Sequence, residues 1–200
     1  MQSVSIRAIN AESETDLNAA ASLSLMDILE HWPEARISPG RVPNFSHEAM
    51  RRELSKAVDS PQHLFLLASN GDENVVGLLV ASAREGKGRS TAEIFSLYFL
   101  PSARDKRLIA SAMSRLEEWA AAKQLSEIQA FVHSKSSAEI DMHHQFGFRE
   151  VSRIEPKSAE DLTGQFLVFS KRVDDPYKIE LLEEREIPDE IAMHSTDNQI

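Results

Sequence analysis

Three cations, Arg104, Lys106 and Arg107, fall within four residues between an apolar run that ends at Leu100-Pro101 and a helical pattern that reaches Trp119. A strand that feeds a helix through a basic turn is suited to phosphate. The first turn of a helix has unpaired N–H groups and the positive end of the dipole, and guanidinium side chains add charge-assisted hydrogen bonds. A loop that wraps phosphate closely with its backbone ordinarily contains glycine, and there is none between Ala92 and Trp119. The same turn also reads as a solvated basic face that opens an ordinary helix.

His143 and His144 are the second place where the residue types suggest chemistry. An imidazole exchanges protons near neutral pH. Adjacent helical residues point about 100° apart, and no HExxH or comparable ligand spacing occurs, so the pair is not read as a metal site. His133 reads as a strand residue with an ordinary hydrogen bond, or as one wall of a cleft. No GxSxG, Walker-type or dinucleotide fingerprint is present.

Composition narrows the classes. The chain has 200 residues, 42% hydrophobic and 27% charged, which suits one globular domain rather than a disordered chain. With no cysteine, disulfides, thiolate metal sites and a cysteine nucleophile are excluded. The opening MQSVSIRAIN has neither a basic leader nor an apolar run, and no segment is long and apolar enough to span a bilayer; a cytoplasmic location is expected. Of the net −10, the stretch from Asp174 to Ile200 carries −7, leaving −3 for the rest. No dense basic stripe is present, so nucleic acid is not expected as a partner, and neither is a membrane. Two units follow: a domain over 1–173 and an acidic extension over 174–200 that docks or frays. Assembly as a homodimer is left open.

The elements that must position these residues follow from periodicity. Ser3–Ile9 alternates as a strand, and Ser13 or Thr15 can cap a helix through Leu17, Ala20, Leu23 and Met26. Pro33, Pro39, Gly40 and Pro43 break the pattern, and Ser46 opens a second helix. His63–Ser69, Val75–Ala83 and Thr91–Leu100, joined through Asn70-Gly71-Asp72 and Gly86-Lys87-Gly88, predict antiparallel hairpins. A helix with Leu108, Ala112, Met113, Leu116, Trp119 and Ala120 on one face crosses over to a strand, Leu125–Ser134, parallel to its predecessor. Ser136 or Ser137 caps a short helix that ends at Gly147. Phe148–Ile154 and Gln165–Val173 complete the sheet. The order is β-α-α-β-β-β-α-β-α-β-β.

This order resembles the GCN5-related N-acetyltransferase (GNAT) family over roughly Val4–Val173. The local strings that carry the resemblance are Glu93-Ile94-Phe95-Ser96-Leu97-Tyr98-Phe99-Leu100-Pro101, the helix end Glu117-Glu118-Trp119-Ala120, and Phe146-Gly147-Phe148. It implies an α/β (α+β) fold with a mixed, mostly antiparallel sheet of about seven strands and about four helices. The fourth and fifth strands would splay in a V that receives the pantetheine arm of an acyl-CoA. It also implies a direct transfer of an acyl group from acetyl-CoA, or another acyl-CoA, to an amine. By the same resemblance, the backbone of Leu97 and Phe99 would pair with the arm, and the backbone N–H of Tyr98 or Phe99 would serve the thioester oxygen. Glu93 would activate the amine, and His143 stands where a tyrosine often protonates the departing thiolate.

The family's pyrophosphate loop, Arg/Gln-x-x-Gly-x-Gly/Ala, falls on Arg104, Arg107 and Ile109, so the first position is kept and both glycines are replaced. Arginine and a β-branched isoleucine crowd a backbone that glycine would let approach. Arg104, Lys106 and Arg107 would then hold phosphate through their side chains. Acceptor choice would fall to the Trp32–Phe45 segment, the turn around Glu85–Arg89 and the Lys157–Gly164 loop. Two readings follow. One is an N-acyltransferase for a small-molecule or peptide/protein amine; the other is a catalytically inactive domain of the same fold that serves as an interaction or regulatory module.

Overall fold

The computed structural model describes residues 4–31, 46–70, 74–86, 89–155 and 165–174. The turn residues Gly71-Asp72 and Lys87-Gly88, the Trp32–Phe45 segment, the Lys157–Gly164 loop and all but Asp174 of the acidic extension lie outside them. The elements are β1 (Val4–Ala8), α1 (Glu14–His31), α2 (His47–Ala57), β2 (His63–Asn70), β3 (Asn74–Gly86), β4 (Arg89–Phe99), α3 (Lys106–Ala122), β5 (Glu127–His133), α4 (Ser137–Gln145), β6 (Arg149–Ile154) and β7 (Phe166–Arg172). Their order is the one the periodicity predicts.

Local chemistry explains the boundaries. Ser13 Oγ accepts from Asp16 N at 3.2 Å and Ser46 Oγ from Ala49 N at 3.1 Å, so both hydroxyls satisfy first-turn donors of their helices. Ser136 precedes α4 without a side-chain cap bond. Asp16 also ties α1 to β1. Its carboxylate accepts from Arg7 and from the backbone of Asn10, and the guanidinium holds it below the usual carboxylate range despite burial. At the far end of α4, Gly147 has φ +82°. Its N–H donates to His144 O, and Phe148 N donates to His143 O, a Schellman closure that turns the chain into β6.

The strands form one sheet in the order β1-β2-β3-β4-β5-β7-β6. Only β4 and β5 run parallel, as the α3 crossover requires; the other neighbours are antiparallel. Helices cover both faces. On one face, Leu108, Ile109, Ala112, Met113, Leu116 and Ala120 of α3 pack in a core with Ile94, Ile128, Ala130 and Phe169. On the other, Leu17, Ala20, Ala21 and Leu23 of α1 and Leu54 of α2 join Phe65, Leu67, Leu78 and Tyr98.

The pairing of β4 with β5 is short. It covers Thr91↔Glu127 to Ile94↔Ala130 and stops, although β4 runs on to Phe99 beside β3 and β5 to His133 beside β7. A bulge sits at the parting. Val80 faces Ser96 and Ala81 faces Ile94, so Phe95 has no partner on β3. Such an extra residue bends and twists its strand. The two strands diverge beyond it.

The end of β4 is held by close packing over Gly77, which pairs with Phe99. A Cβ built on Gly77 would lie 2.3 Å from the Phe99 ring, and that ring is itself buried. Gly77→Ala is therefore expected to lower stability by about 1–3 kcal/mol. Chemical denaturation should show a lower midpoint at unchanged slope; an unchanged midpoint would mean that the ring moves aside at no cost.

Candidate active site

Between the diverging strands lies a cavity of about 350 Å³. Its walls are Ile94, Phe95, Ser96 and Leu97 from β4, and Ala130, Phe131, Val132 and His133 from β5. Asp27 and Ile28 of α1, Glu139, Met142 and His143 of α4, and Phe166 of β7 complete it. The backbone contributes as well. Leu100 N donates to Val76 O at 2.8 Å, and these two residues continue the β3–β4 register. In an antiparallel ladder such bonded pairs alternate with non-bonded ones. Ser96 and Tyr98 thus spend their N–H and C=O on β3, whereas Leu97 and Phe99 turn theirs toward the side that β5 has vacated. Of the two N–H groups the resemblance named for a thioester oxygen, that of Phe99 is the one so turned.

His143 forms part of the cavity wall on the α4 side. Its ring stands edge-on to Phe148 and tilted on Phe169, with centroids 5.2 and 5.6 Å away, and the residue is 5% exposed. Nδ1 lies 2.8 Å from Glu139 O, a carbonyl that can only accept, so Nδ1 carries the hydrogen. Nε2 is buried and has no hydrogen-bond partner among the described residues. Burial pushes the imidazole below its ordinary pKa, against a smaller pull upward from Glu139. The resting ring is neutral, with a bare Nε2. An imidazolium ready to protonate a thiolate is therefore not the form that the packing favours. His133 is complementary: its Nδ1 accepts from Lys135 N at 3.2 Å, which leaves the hydrogen on Nε2.

At the mouth of the helical turn the predicted cations have several different surroundings. Arg104 Nε donates to Phe99 O at 3.1 Å, its Nη2 to Glu30 of α1 at 2.5 Å, and its guanidinium lies over the Tyr98 ring. Arg104 is thus a bracket between α1 and the end of β4. Tyr98 below it is buried, which raises its phenol pKa, and Glu30 adds to the shift. Asp105 caps α3, accepting from Arg107 N at 2.7 Å, so a carboxylate already sits at that helix end. The Lys106 and Arg107 side chains are exposed beside it. Ile109 packs into the α3 core, 8% exposed, and offers the turn no side chain. This end differs from a glycine loop for a plain reason: a β-branched side chain here is more stable in the core than at a phosphate.

Glu93 stands on the paired stretch of β4, before the strands part. Its carboxylate accepts from Arg84 Nε at 3.0 Å, and it is not among the residues that line the cavity. The structure therefore brings His143 and Leu97 together at one cavity and leaves Glu93, Tyr98 and Phe99 out of its lining. It adds Asp27, Ser96 and Glu139, which sequence reasoning did not single out. Ser96 Oγ donates to Asp27 Oδ2 at 2.5 Å across 69 residues of chain. The available signal was a hydroxyl within the apolar run Ile94-Phe95-Ser96-Leu97 and an acid among Met26, Ile28 and Leu29. Among the described residues, no three side chains are grouped as metal ligands, and no helix is long and apolar enough to cross a membrane.

Residues 24–148 match the model of the acetyltransferase (GNAT) family, more than half of the chain. The chain belongs to that family. No curated protein matches it by sequence. Solved GNAT structures share the fold. The PaiA N-acetyltransferase of Thermoplasma acidophilum, in complex with coenzyme A, is 19% identical with a TM-score of 0.63, over 85% of this chain and 99% of that one. The spermidine N-acetyltransferase of Vibrio cholerae, with CoA and spermine, is 13% identical with a TM-score of 0.66, over 86% and 96%. YncA of Salmonella typhimurium, with its cofactor acetyl-CoA, is 19% identical with a TM-score of 0.60, over 86% and 95%. The mixed seven-stranded sheet with parallel β4 and β5 is the GNAT fold, open at the same two strands that the resemblance named.

The histidine geometry is testable. A folded pKa below the ordinary 6.5 means that the unfolded chain binds more protons as pH falls through that value. The contribution of His143 to stability is thus complete above pH 6.5 and is lost progressively as pH drops below it. The ring's nitrogen NMR signals at pH 7 should show Nδ1 protonated and Nε2 bare, and His143→Gln should flatten the fall in stability below pH 6.5. A protonated Nε2 at neutral pH would contradict the assignment.

Proposed function

We infer that the chain is an acyl-CoA-dependent N-acyltransferase, by its family an N-acetyltransferase, that transfers the acyl group directly to a small-molecule or peptide/protein amine. The observation that supports this best is the cavity between β4 and β5, with the backbone of Leu97 turned toward it and a buried histidine whose Nε2 is bare among its lining residues. An unpaired buried ring nitrogen costs about 1–3 kcal/mol unless something binds it. The cleft suits a slender acyl-thioester arm: the β4 wall presents the backbone of Leu97, and the facing wall carries Ala130, Phe131 and Val132 beside His133 and His143. A bound acyl-CoA supplies the activated thioester. The chain's part is to pair the arm with Leu97 and Phe99 and to hold a proton. His143 Nε2 accepts the proton that the attacking nitrogen sheds and returns it to the sulfur as the carbon–sulfur bond breaks. A cytoplasmic location, where acyl-CoA is at hand, goes with this reading.

A second reading is supported by one observation, the phosphate end. Arg104 is engaged by Glu30, and Asp105 places a carboxylate at the start of α3. Those contacts suit a domain that has given up acyl-CoA and acts as an interaction or regulatory module. For the first reading to hold, Arg104 must exchange Glu30 for phosphate, a swap between two charge-assisted partners of similar strength.

The readings separate on acetyl-CoA binding. A ligand at 100 times its Kd stabilises the folded state by about 2.7 kcal/mol, so millimolar acetyl-CoA should raise Tm by several degrees. No shift and no heat by calorimetry would leave the module reading standing. With binding present, Arg104→Ala should weaken it about tenfold, near 1.4 kcal/mol, whereas unchanged affinity would assign Arg104 to the α1 bracket alone.

A further inference from the structure

The acyltransferase reading leaves one proton unassigned. An aliphatic amine arrives in water as its ammonium, and it must lose a proton before its lone pair can attack. His143 faces the cavity from α4 and serves the later transfer to sulfur. On the α1 side of the same cavity stand Asp27 and Ser96, the hydroxyl of Ser96 already donating to the Asp27 carboxylate. The oxygen of Ser96 keeps its lone pairs for a donor in the cavity. The bulge at Phe95 explains why Ser96 can do this. It shifts the strand's phase, so Ile94 and Leu97 both pack on the α3 side of the sheet and Ser96 reaches α1.

We propose that Ser96 and Asp27 form the amine-receiving end of the cavity and carry the first proton off a cationic primary amine. The inference rests on the acyl-CoA reading above. Ser96 Oγ accepts a hydrogen bond from the ammonium. The ammonium proton passes to Ser96 Oγ as the hydroxyl's own proton passes to Asp27 Oδ2, and from there to solvent. The freed nitrogen then bonds to the acyl carbon and the carbon–sulfur bond breaks. The second nitrogen proton travels through His143 Nε2 to the sulfur. The products are an amide, a thiol and one released proton. Ser96 is the catalytic residue of this pair, and Asp27 is a positioning residue that acts through it. A carboxylate facing the acceptor also selects against anionic amines. Glu93, held by Arg84 outside the cavity, has no part in this step.

The test compares two classes of nucleophile with acetyl-CoA as donor, following thiol release. Spermidine, ethanolamine and lysine methyl ester arrive protonated, whereas methoxyamine is weakly basic and uncharged at neutral pH. Asp27→Asn should lower kcat/KM for the best cationic amine about 100-fold, the ordinary scale of proton-transfer catalysis. The loss with methoxyamine should be at least roughly tenfold smaller, and Asp27→Glu should restore part of the cationic rate. Ser96→Ala should show the same split, and it serves alone if Asp27→Asn does not fold. Equal losses with both classes, or none with either, would overturn the proposal, as would turnover of none of the cationic amines by a protein that binds acetyl-CoA. Failure to bind acetyl-CoA at all would instead sink the acyltransferase reading on which it rests.

Discussion

The active region depends on where two parallel strands stop pairing. Beyond Ile94 and Ala130 the ladder between β4 and β5 ends, yet each strand keeps a partner on its other side, β3 for one and β7 for the other. Backbone groups that leave a ladder inside a protein must find something else to bond. Here they face a cavity, and a ligand with amides of its own is the natural way to satisfy them. The bulge at Phe95 bends β4 at the parting and re-aims Ser96 toward α1. The outer layers hold the opening in place: α3 packs on one face, and α1 with α2 on the other.

The two ends of the cleft are built on different terms. At the acyl end the chemistry rests on neutral, desolvated groups. His143 is wedged between Phe148 and Phe169, and its tautomer is set by its own helix through Glu139 O. At the turn before α3, Arg104 and Asp105 are already engaged within the chain. Arg104 bridges Glu30 and Phe99 O, and Asp105 closes the first turn of α3. A carboxylate cap favours the helix by about 1 kcal/mol, and it occupies the charge position that an anion would use. In the acyltransferase reading an acyl-CoA bound here would meet a turn where Arg104 must exchange its partner, rather than a glycine-lined backbone cradle.

Proton flow through such a site has two demands that pull apart. An ammonium is best met by a carboxylate, whereas a thioester is best served by neutral groups in a dry cleft. In the proposed mechanism the two are served from opposite sides of the sheet opening, by Asp27 and Ser96 on the α1 side and by His143 on α4. Burial outweighs the upward pull of the neighbouring Glu139 and keeps the imidazole neutral.

Much of the fold was legible in the sequence because it is written in local terms. Alternation marked the strands, Ser13 and Ser46 marked helix starts through caps that need only a hydroxyl three residues ahead, and Gly147 marked a helix end because only glycine takes φ +82° cheaply. The loss of both loop glycines at Arg107 and Ile109 was equally plain. The site itself was only partly visible. Ser96 meets Asp27 across 69 residues, and Arg104 meets Glu30 across 74; no spacing rule reaches that far, since the approach of α1 to β4 decides both. The charge of His143 was also beyond the sequence. Its residue type permits an acid or a base, and only its burial, with Nδ1 tied to Glu139 O, chooses the neutral ring. Local propensity determined the order of elements, and tertiary structure decided where β4 and β5 part, which side chains face into the opening and in what protonation state, because those depend on strand pairing, distance and desolvation rather than on neighbours in the chain.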